Sequence, residues 1–93
     1  MFDWDEENVA HIAQHGVKPE EAEEALLNDP VDVERQTRWG EERVLQVGVT
    51  KAMRFLGLVT TWRGEAMRVV TAYPATPMQR EFFMRMKGGK GNE

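Results

Sequence analysis

Two histidines lie four residues apart near the start of the chain, at positions 11 and 15. At that spacing His11 and His15 share one side of a helix, and imidazole is the side chain best suited to moving protons near neutral pH. Two imidazoles also make up half of a zinc site, but no third and fourth ligand follow at a recognisable spacing. The sequence therefore predicts proton transfer or a surface role at a helix end, and no metal site.

Arginines are the main bases of the second part of the chain, and aromatic residues lie among them. The planar guanidinium group binds a phosphate through two hydrogen bonds and keeps its charge at any useful pH. Each arginine alone is most simply a solvated or ion-paired surface group. As a set beside stacking aromatic rings, they favour single-stranded RNA over a small metabolite. The residues concerned are Arg38, Arg43, Arg54, Arg63, Arg68, Arg80, Trp39, Trp62 and Tyr73.

The composition is typical of one soluble globular domain. The chain has 93 residues, of which 41% are hydrophobic and 30% charged, and it has no cysteine. This excludes a disulfide framework and thiol chemistry, and no apolar run approaches the roughly 18 residues of a membrane span. The first residues lack the features of a signal peptide, so we expect a cytoplasmic protein without membrane contact. No phosphate-binding loop or dinucleotide fingerprint is present, and we predict no cofactor.

The charge is distributed unevenly along the chain. Residues 1–34 contain eleven acids and one base, for a net charge of −10, whereas residues 35–93 contain eleven bases and five acids, for +6. Such an asymmetry is expected of an anion-binding surface beside an acidic face. Surface charge that varies between elements without a function is the alternative.

The helices and strands that must position these residues are predicted from the spacing of apolar residues and from the Gly and Pro residues that end helices and form turns. Two short N-terminal helices are predicted, the first ending at Gly16 and the second beginning at Pro19, with Phe2 and Trp4 in a short strand before them. A C-terminal helix begins at Pro77. Its predicted docking stripe consists of Met78, Phe82 and Met86. The predicted strands cover residues 31–33, 43–49, 54–62 and 67–73.

Short connections between these strands predict an antiparallel meander. The fold is therefore predicted to be a single small α+β domain, with an antiparallel sheet of about four strands, two N-terminal helices and a C-terminal helix. The domain covers residues 1–87, and residues 88–93 are expected to form a flexible tail. In the last strand, a period of two puts Arg68 on one face with Val70 and Ala72, and Tyr73 on the other.

Two blocks of residues together form a fairly specific pattern. The first block is Phe2-x-Trp4-Asp5, then Asn8-x-x-His11-Ile12-Ala13-x-His15-Gly16-Val17-x-x-Glu20-Glu21-Ala22. The second comprises Gly40-Glu41-Glu42-Arg43, Arg68-Val69-Val70-Thr71-Ala72 and Gln79-Arg80. This pattern resembles the BrnT-like toxins of bacterial type II toxin–antitoxin systems, and the resemblance covers residues 2 to about 83.

The resemblance implies a RelE-like fold and a metal-independent endoribonuclease that cleaves mRNA, free or on the ribosome, to inhibit translation. It also implies a cognate antitoxin that neutralises the toxin and brings the DNA-binding element, so that contact with DNA is indirect.

Cleavage of RNA without a metal uses the 2′-hydroxyl of the substrate as the nucleophile, and it needs proton transfer and stabilisation of the phosphate. The position of His15 in the family pattern assigns it to proton transfer. We assign Arg43 and Arg68 to phosphate stabilisation, and Tyr73 to proton donation or base stacking. The predicted RNA-binding residues outside this group are Arg38, Trp39 and Arg80.

The alternative is a catalytically weakened protein with the toxin fold, which binds its antitoxin as a non-enzymatic module. The family strand commonly continues into Arg-Lys where this chain has Tyr73-Pro74, and this departure favours the module. The presence of His15, Arg43 and Arg68 favours the enzyme. A nucleic-acid-binding regulator without cleavage is a third possibility, which the absence of a helix-turn-helix pattern disfavours.

Overall fold

The computed structural model describes residues 1–91 of the chain. The predicted α+β architecture is confirmed, with three helices and four strands in the predicted order. They are α1 (Glu6–Ala13), α2 (Pro19–Leu27), β1 (Val31–Arg38), β2 (Glu41–Val49), β3 (Phe55–Arg63), β4 (Ala66–Pro74) and α3 (Pro77–Gly91). The short strand predicted before α1 is wrong: it is reduced to one isolated bridge between Phe2 and Met67.

The four strands form an antiparallel meander in the order β1-β2-β3-β4, as predicted. β1 is longer than the predicted residues 31–33, since it pairs with β2 from Val31 to Arg38. Residues 32–38 are all exposed. A strand exposed on both faces carries no alternation of apolar and polar residues, so only its hydrogen bonds to β2 reveal it.

Helices α1 and α2 pack against one face of the sheet and form the main core. Each contributes small or branched apolar side chains that meet those of β3 and β4. The buried members of this core are Ile12, Val17, Ala22, Ala25, Leu56, Leu58, Val69 and Ala72. The predicted break between the two helices is confirmed, because Gly16 adopts a φ of +73°, which a glycine tolerates best.

Helix α3 packs against only one end of the opposite face. Its buried residue is Phe83, which contacts the cluster around Val47 and Val49. The predicted docking stripe is wrong, because Met78 is 79% exposed and Met86 is 45% exposed. The helix continues to Gly91, beyond the predicted domain boundary at residue 87, and the last two residues of the expected tail lie outside the described residues.

A β-bulge in β4 changes the predicted faces of that strand. Val59 pairs with Thr71, but the next residue of β3, Thr60, pairs with Val69, so Val70 is an extra residue without a partner. One extra residue reverses the alternation beyond it. Arg68 and Tyr73 therefore lie on the same face, and the prediction that they point to opposite sides is wrong.

The part of the sheet that α3 leaves uncovered is called the open sheet face below. Its residues are Arg43, Leu45, Val59, Arg68, Thr71 and Tyr73, which strand register places on the side opposite the main core.

The close packing of α2 on β2 depends on a glycine. A Cβ atom on Gly48 would lie 2.6 Å from the carbonyl oxygen of Ala25, so Gly48→Ala must push the helix away from the sheet. We expect a loss of about 1–3 kcal/mol in the free energy of unfolding, measured by urea denaturation. Gly88→Ala is the matched control, because a Cβ there meets no other atom and alanine favours the helix. An unchanged urea midpoint for Gly48→Ala would contradict this packing.

Candidate active site

Three rings lie side by side where α1 meets the edge of the sheet. His15, in the turn after α1, has its ring centroid 6.3 Å from that of Tyr73 and 5.6 Å from that of His11. Both contacts are edge-on, and both histidines are exposed. The fold therefore brings together His15, which the sequence assigned to proton transfer, and Tyr73, which it assigned to proton donation or base stacking.

Tyr73 is held in place by groups that sequence analysis did not assign to the site. The side-chain amide of Gln79 donates a hydrogen bond to the Tyr73 hydroxyl oxygen at 3.0 Å. The Gln79 carbonyl oxygen accepts a hydrogen bond from the backbone N–H of Thr76, so the amide is fixed from both sides. The tyrosine ring lies over Gly57, where a Cβ atom would be 2.6 Å from ring atom Cε1. A glycine inside a strand is the sequence signal for such a close approach.

Arg43 borders two shallow pockets of the open sheet face. One pocket, of about 180 Å³, extends from Tyr73 past Arg43 to Arg38. The other, of about 560 Å³, has His11, Arg43 and Arg68 among its lining residues. The Nε–H of Arg43 donates to a carboxylate oxygen of Glu41 at 2.9 Å, and about a third of its side chain stays exposed. Arg43 is thus the cation that both pockets share, next to the ring cluster of His11, His15 and Tyr73.

Arg68 lies on the same face but is buried, with 7% of its surface exposed. Its guanidinium is 2.9 Å from the carboxylate of Asp5 and 3.8 Å from those of Asp3 and Glu7. The hydrogen bond from Arg68 is the main cause that lowers the pKa of Asp5, and the same bond raises the pKa of Arg68. Because three carboxylates already neutralise this cation, its geometry favours a structural role over a direct phosphate contact.

Asp5 connects Arg68 to the start of α1. Its carboxylate accepts hydrogen bonds from the backbone N–H groups of Glu7 and Asn8, which caps the helix. The Asn8 side-chain amide donates to the carbonyl oxygens of Asp3 and Val69, at 3.0 and 3.3 Å. The local sequence around Asp5 gives no sign that the residue capping α1 also binds a buried arginine.

The remaining candidates lie away from the rings. Arg38 and Trp39 are at the tip of the β1–β2 hairpin, with the Arg38 guanidinium carbon 5.7 Å from the centroid of the indole. Arg80, in the first turn of α3, is exposed and lines a separate hollow with Phe55 and Met84. Among residues 1–91, no group of three or more His, Asp or Glu residues is arranged to hold a metal ion. None of the helices described is both long and apolar enough to cross a membrane.

Fold and site together define the class of protein: a small α+β domain with a histidine and a tyrosine at one edge of its open sheet face and an arginine, Arg43, farther in on the same face. Comparison with protein-family models identifies the family. The model for the ribonuclease toxin BrnT of type II toxin–antitoxin systems matches residues 4–79, and the chain belongs to this family. No curated protein matches the sequence. The resemblance seen in the sequence is thus confirmed, and a type II toxin family implies an antitoxin as partner.

The ion pair of Arg68 makes stability depend on pH. Asp5→Asn keeps a side chain that can cap the helix but removes the charge. Because folding lowers the pKa of Asp5 from its ordinary value of 3.8, the pair stabilises the folded state above that pH and ceases to do so as the pH falls through the lowered pKa. We expect Asp5→Asn to lower the melting temperature at pH 7, and the difference from wild type to shrink below pH 3.8.

The matched control is Glu6→Gln, because Glu6 lies in the same first turn and has no ion pair with Arg68 among the described contacts. It should change the melting temperature much less, since an exposed charge near a helix start contributes little. A difference between Asp5→Asn and wild type that stays the same from pH 7 into acid would show that the charge of Asp5 is not what stabilises the fold.

Proposed function

We propose that this protein is an active toxin that cleaves mRNA in the cytoplasm without a metal ion and is neutralised by a cognate antitoxin. The observation that carries the proposal is the juxtaposition of His15 and Tyr73, whose ring centroids are 6.3 Å apart, at the edge of a face that also presents Arg43. Family membership supports the reaction class.

The proposed reaction is a transfer within the RNA strand. The 2′-oxygen attacks the neighbouring phosphorus and forms a new oxygen–phosphorus bond, while the bond from phosphorus to the 5′-oxygen breaks. His15 takes the proton from the 2′-hydroxyl, and the leaving 5′-oxygen receives a proton from Tyr73. The products are a 2′,3′-cyclic phosphate and a 5′-hydroxyl end.

Arg43 stabilises the charge that develops on the phosphate oxygens. About a third of its side chain is exposed on the open sheet face, and it borders the pocket that Tyr73 also lines. Arg43 pairs with Glu41 through its Nε–H, and this leaves its two terminal nitrogens as donors for a phosphate. Arg68 acts in this scheme through α1, by fixing the helix that presents His15.

One observation favours the second candidate, the non-enzymatic antitoxin-binding module. Both arginines that the sequence assigned to phosphate stabilisation have carboxylate partners, Glu41 for Arg43 and chiefly Asp5 for Arg68. A site that needs an unpaired cation would then be weak. Wild-type protein that leaves RNA intact but binds the antitoxin would establish the module.

The proton-transfer roles are tested by two substitutions that preserve size. Purified protein is incubated with a 5′-labelled single-stranded RNA, with and without EDTA, and the ends of the products are analysed. We expect cyclic-phosphate ends, no effect of EDTA, and a loss of at least about tenfold in rate for His15→Gln, because a positioned acid or base contributes at least that much. Tyr73→Phe should lose less. Equal rates for His15→Gln and wild type at equal melting temperature would make His15 structural.

The phosphate role of Arg43 is tested by binding, with a matched arginine as control. A 2′-O-methyl RNA oligonucleotide cannot be cleaved through its 2′-oxygen, so its affinity can be measured at several salt concentrations. We expect Arg43→Ala to weaken binding and to reduce the slope of log K against log salt by about 1.

Arg35→Ala removes a comparable ion-paired arginine, bound to Asp32 and Glu42, from the other side of the sheet. It should leave the salt slope unchanged. The same slope for both variants would remove Arg43 from the RNA site.

A further inference from the structure

The tip of the β1–β2 hairpin has an unusual residue in its turn. Arg38 pairs with Glu41, so the loop consists of Trp39 and Gly40 only. Both residues have positive φ angles, +49° and +77°, as in the mirror-image turns that match the twist of a hairpin. The first position of such a turn favours Asn, Asp or Gly, and a bulky residue there is a genuine outlier.

The hairpin between β3 and β4 also has a two-residue loop, but there a glycine takes the positive φ angle. β3 and β4 are joined between Arg63 and Ala66, and the positive φ of +60° falls on Gly64. Trp39 also adds nothing to a core, since it is 92% exposed. Neither the turn nor packing accounts for a tryptophan at this position, and strained residues kept in an exposed place indicate function.

The chemistry of the tip suits a flat, electron-rich ligand. The Arg38 guanidinium carbon is 5.7 Å from the indole centroid, so an exposed ring and a cation lie together. Unpaired nucleobases stack on aromatic rings and on guanidinium planes, whatever their sequence. Arg38 also lines the pocket that reaches Arg43 and Tyr73, which connects the tip to the proposed cleavage site.

We propose that Trp39 and Arg38 form a stacking platform for an unpaired base of the RNA substrate, outside the cleaved dinucleotide. This inference rests on the proposed ribonuclease function, because Arg38 lines the pocket that Arg43 and Tyr73 also line. It assigns the strained turn a role in holding the RNA strand, while His15 and Tyr73 transfer the protons.

The decisive variant is Trp39→Asn, because it moves stability and binding in opposite directions. Asparagine suits a positive φ, so the melting temperature should stay equal or rise. Affinity for a 2′-O-methyl single-stranded RNA should fall about tenfold, since a stacked base is lost. Trp39→Phe retains a ring and should recover part of that affinity.

Trp62→Asn is the matched control. The sequence grouped Trp62 with the stacking rings, but the structure places it on the other side of the sheet beside Met67, away from the proposed RNA site, and it is likewise exposed (57%). It should leave RNA affinity unchanged. An abasic position moved along the oligonucleotide should weaken binding to wild type at one place, and this effect should vanish in Trp39→Asn.

The outcomes separate the platform from the ribonuclease. If wild type cleaves RNA and Trp39→Asn binds and cleaves equally well, the platform is wrong and the proposed function stands. If wild type neither binds nor cleaves RNA, both fail. If Trp39→Asn loses affinity for a cognate antitoxin but not for RNA, the exposed indole is a protein-binding residue, and the platform is overturned.

Discussion

The position of the ring cluster depends on the ion pair between Arg68 and Asp5. This pair fixes the start of α1 on β4, because Asp5 caps the helix with the same carboxylate that binds Arg68. From there, ten residues of helix and turn reach His15, roughly 15 Å at 1.5 Å per residue. Five residues of strand lead from Arg68 to Tyr73, roughly 16 Å at 3.3 Å per residue. Since helix and strand cover similar lengths in the same direction, His15 and Tyr73 meet.

The β-bulge at Val70 is the second feature on which the site depends, because it puts Arg68 and Tyr73 on the same face of the sheet. In a regular strand Arg68 and Tyr73, five residues apart, would point to opposite faces. With Val70 unpaired, the strand places Arg68 under the start of α1 and Tyr73 over Gly57, both on the open sheet face. Bulges occur next to active sites because they redirect side chains in this way.

The sequence predicted those parts of the fold that depend on local signals. Gly16 and Pro19 marked the ends of helices, and short connections predicted the meander, because turns and caps act over a few residues. The bulge, the continuation of β1 beyond residue 33 and the burial of Arg68 could not be predicted, since each depends on which residues pair across the sheet or on what α1 covers. Of the site residues predicted from the sequence, His15 and Tyr73 lie next to each other in the fold, whereas Arg80 lies in a different hollow.

The uneven charge of the chain has a structural origin that changes what the open sheet face can bind. Acids of the N-terminal part hold the helices to the sheet: Asp5 binds Arg68, and Glu21 binds Arg54 at 2.9 Å. Arg54 and Arg68 are therefore neutralised by carboxylates, although the sequence alone had attributed both to an anion-binding surface. Within the described residues, Arg38 and Arg80 are exposed and have no ion pair, and Arg43 is shared with Glu41.

A face with so few unpaired cations gains little affinity for RNA from phosphate contacts, because each contact contributes only through the counterions it releases. Stacking is the interaction that can compensate, since it depends on ring area and not on net charge. The strained turn that exposes Trp39 is consistent with this requirement: the chain retains an indole where an asparagine would make the better hairpin. In the proposed complex, an acidic protein holds single-stranded RNA chiefly through two aromatic rings. Tyr73 lines a shallow pocket together with Arg43 and Arg38, and Trp39 lies next to Arg38 at the hairpin tip.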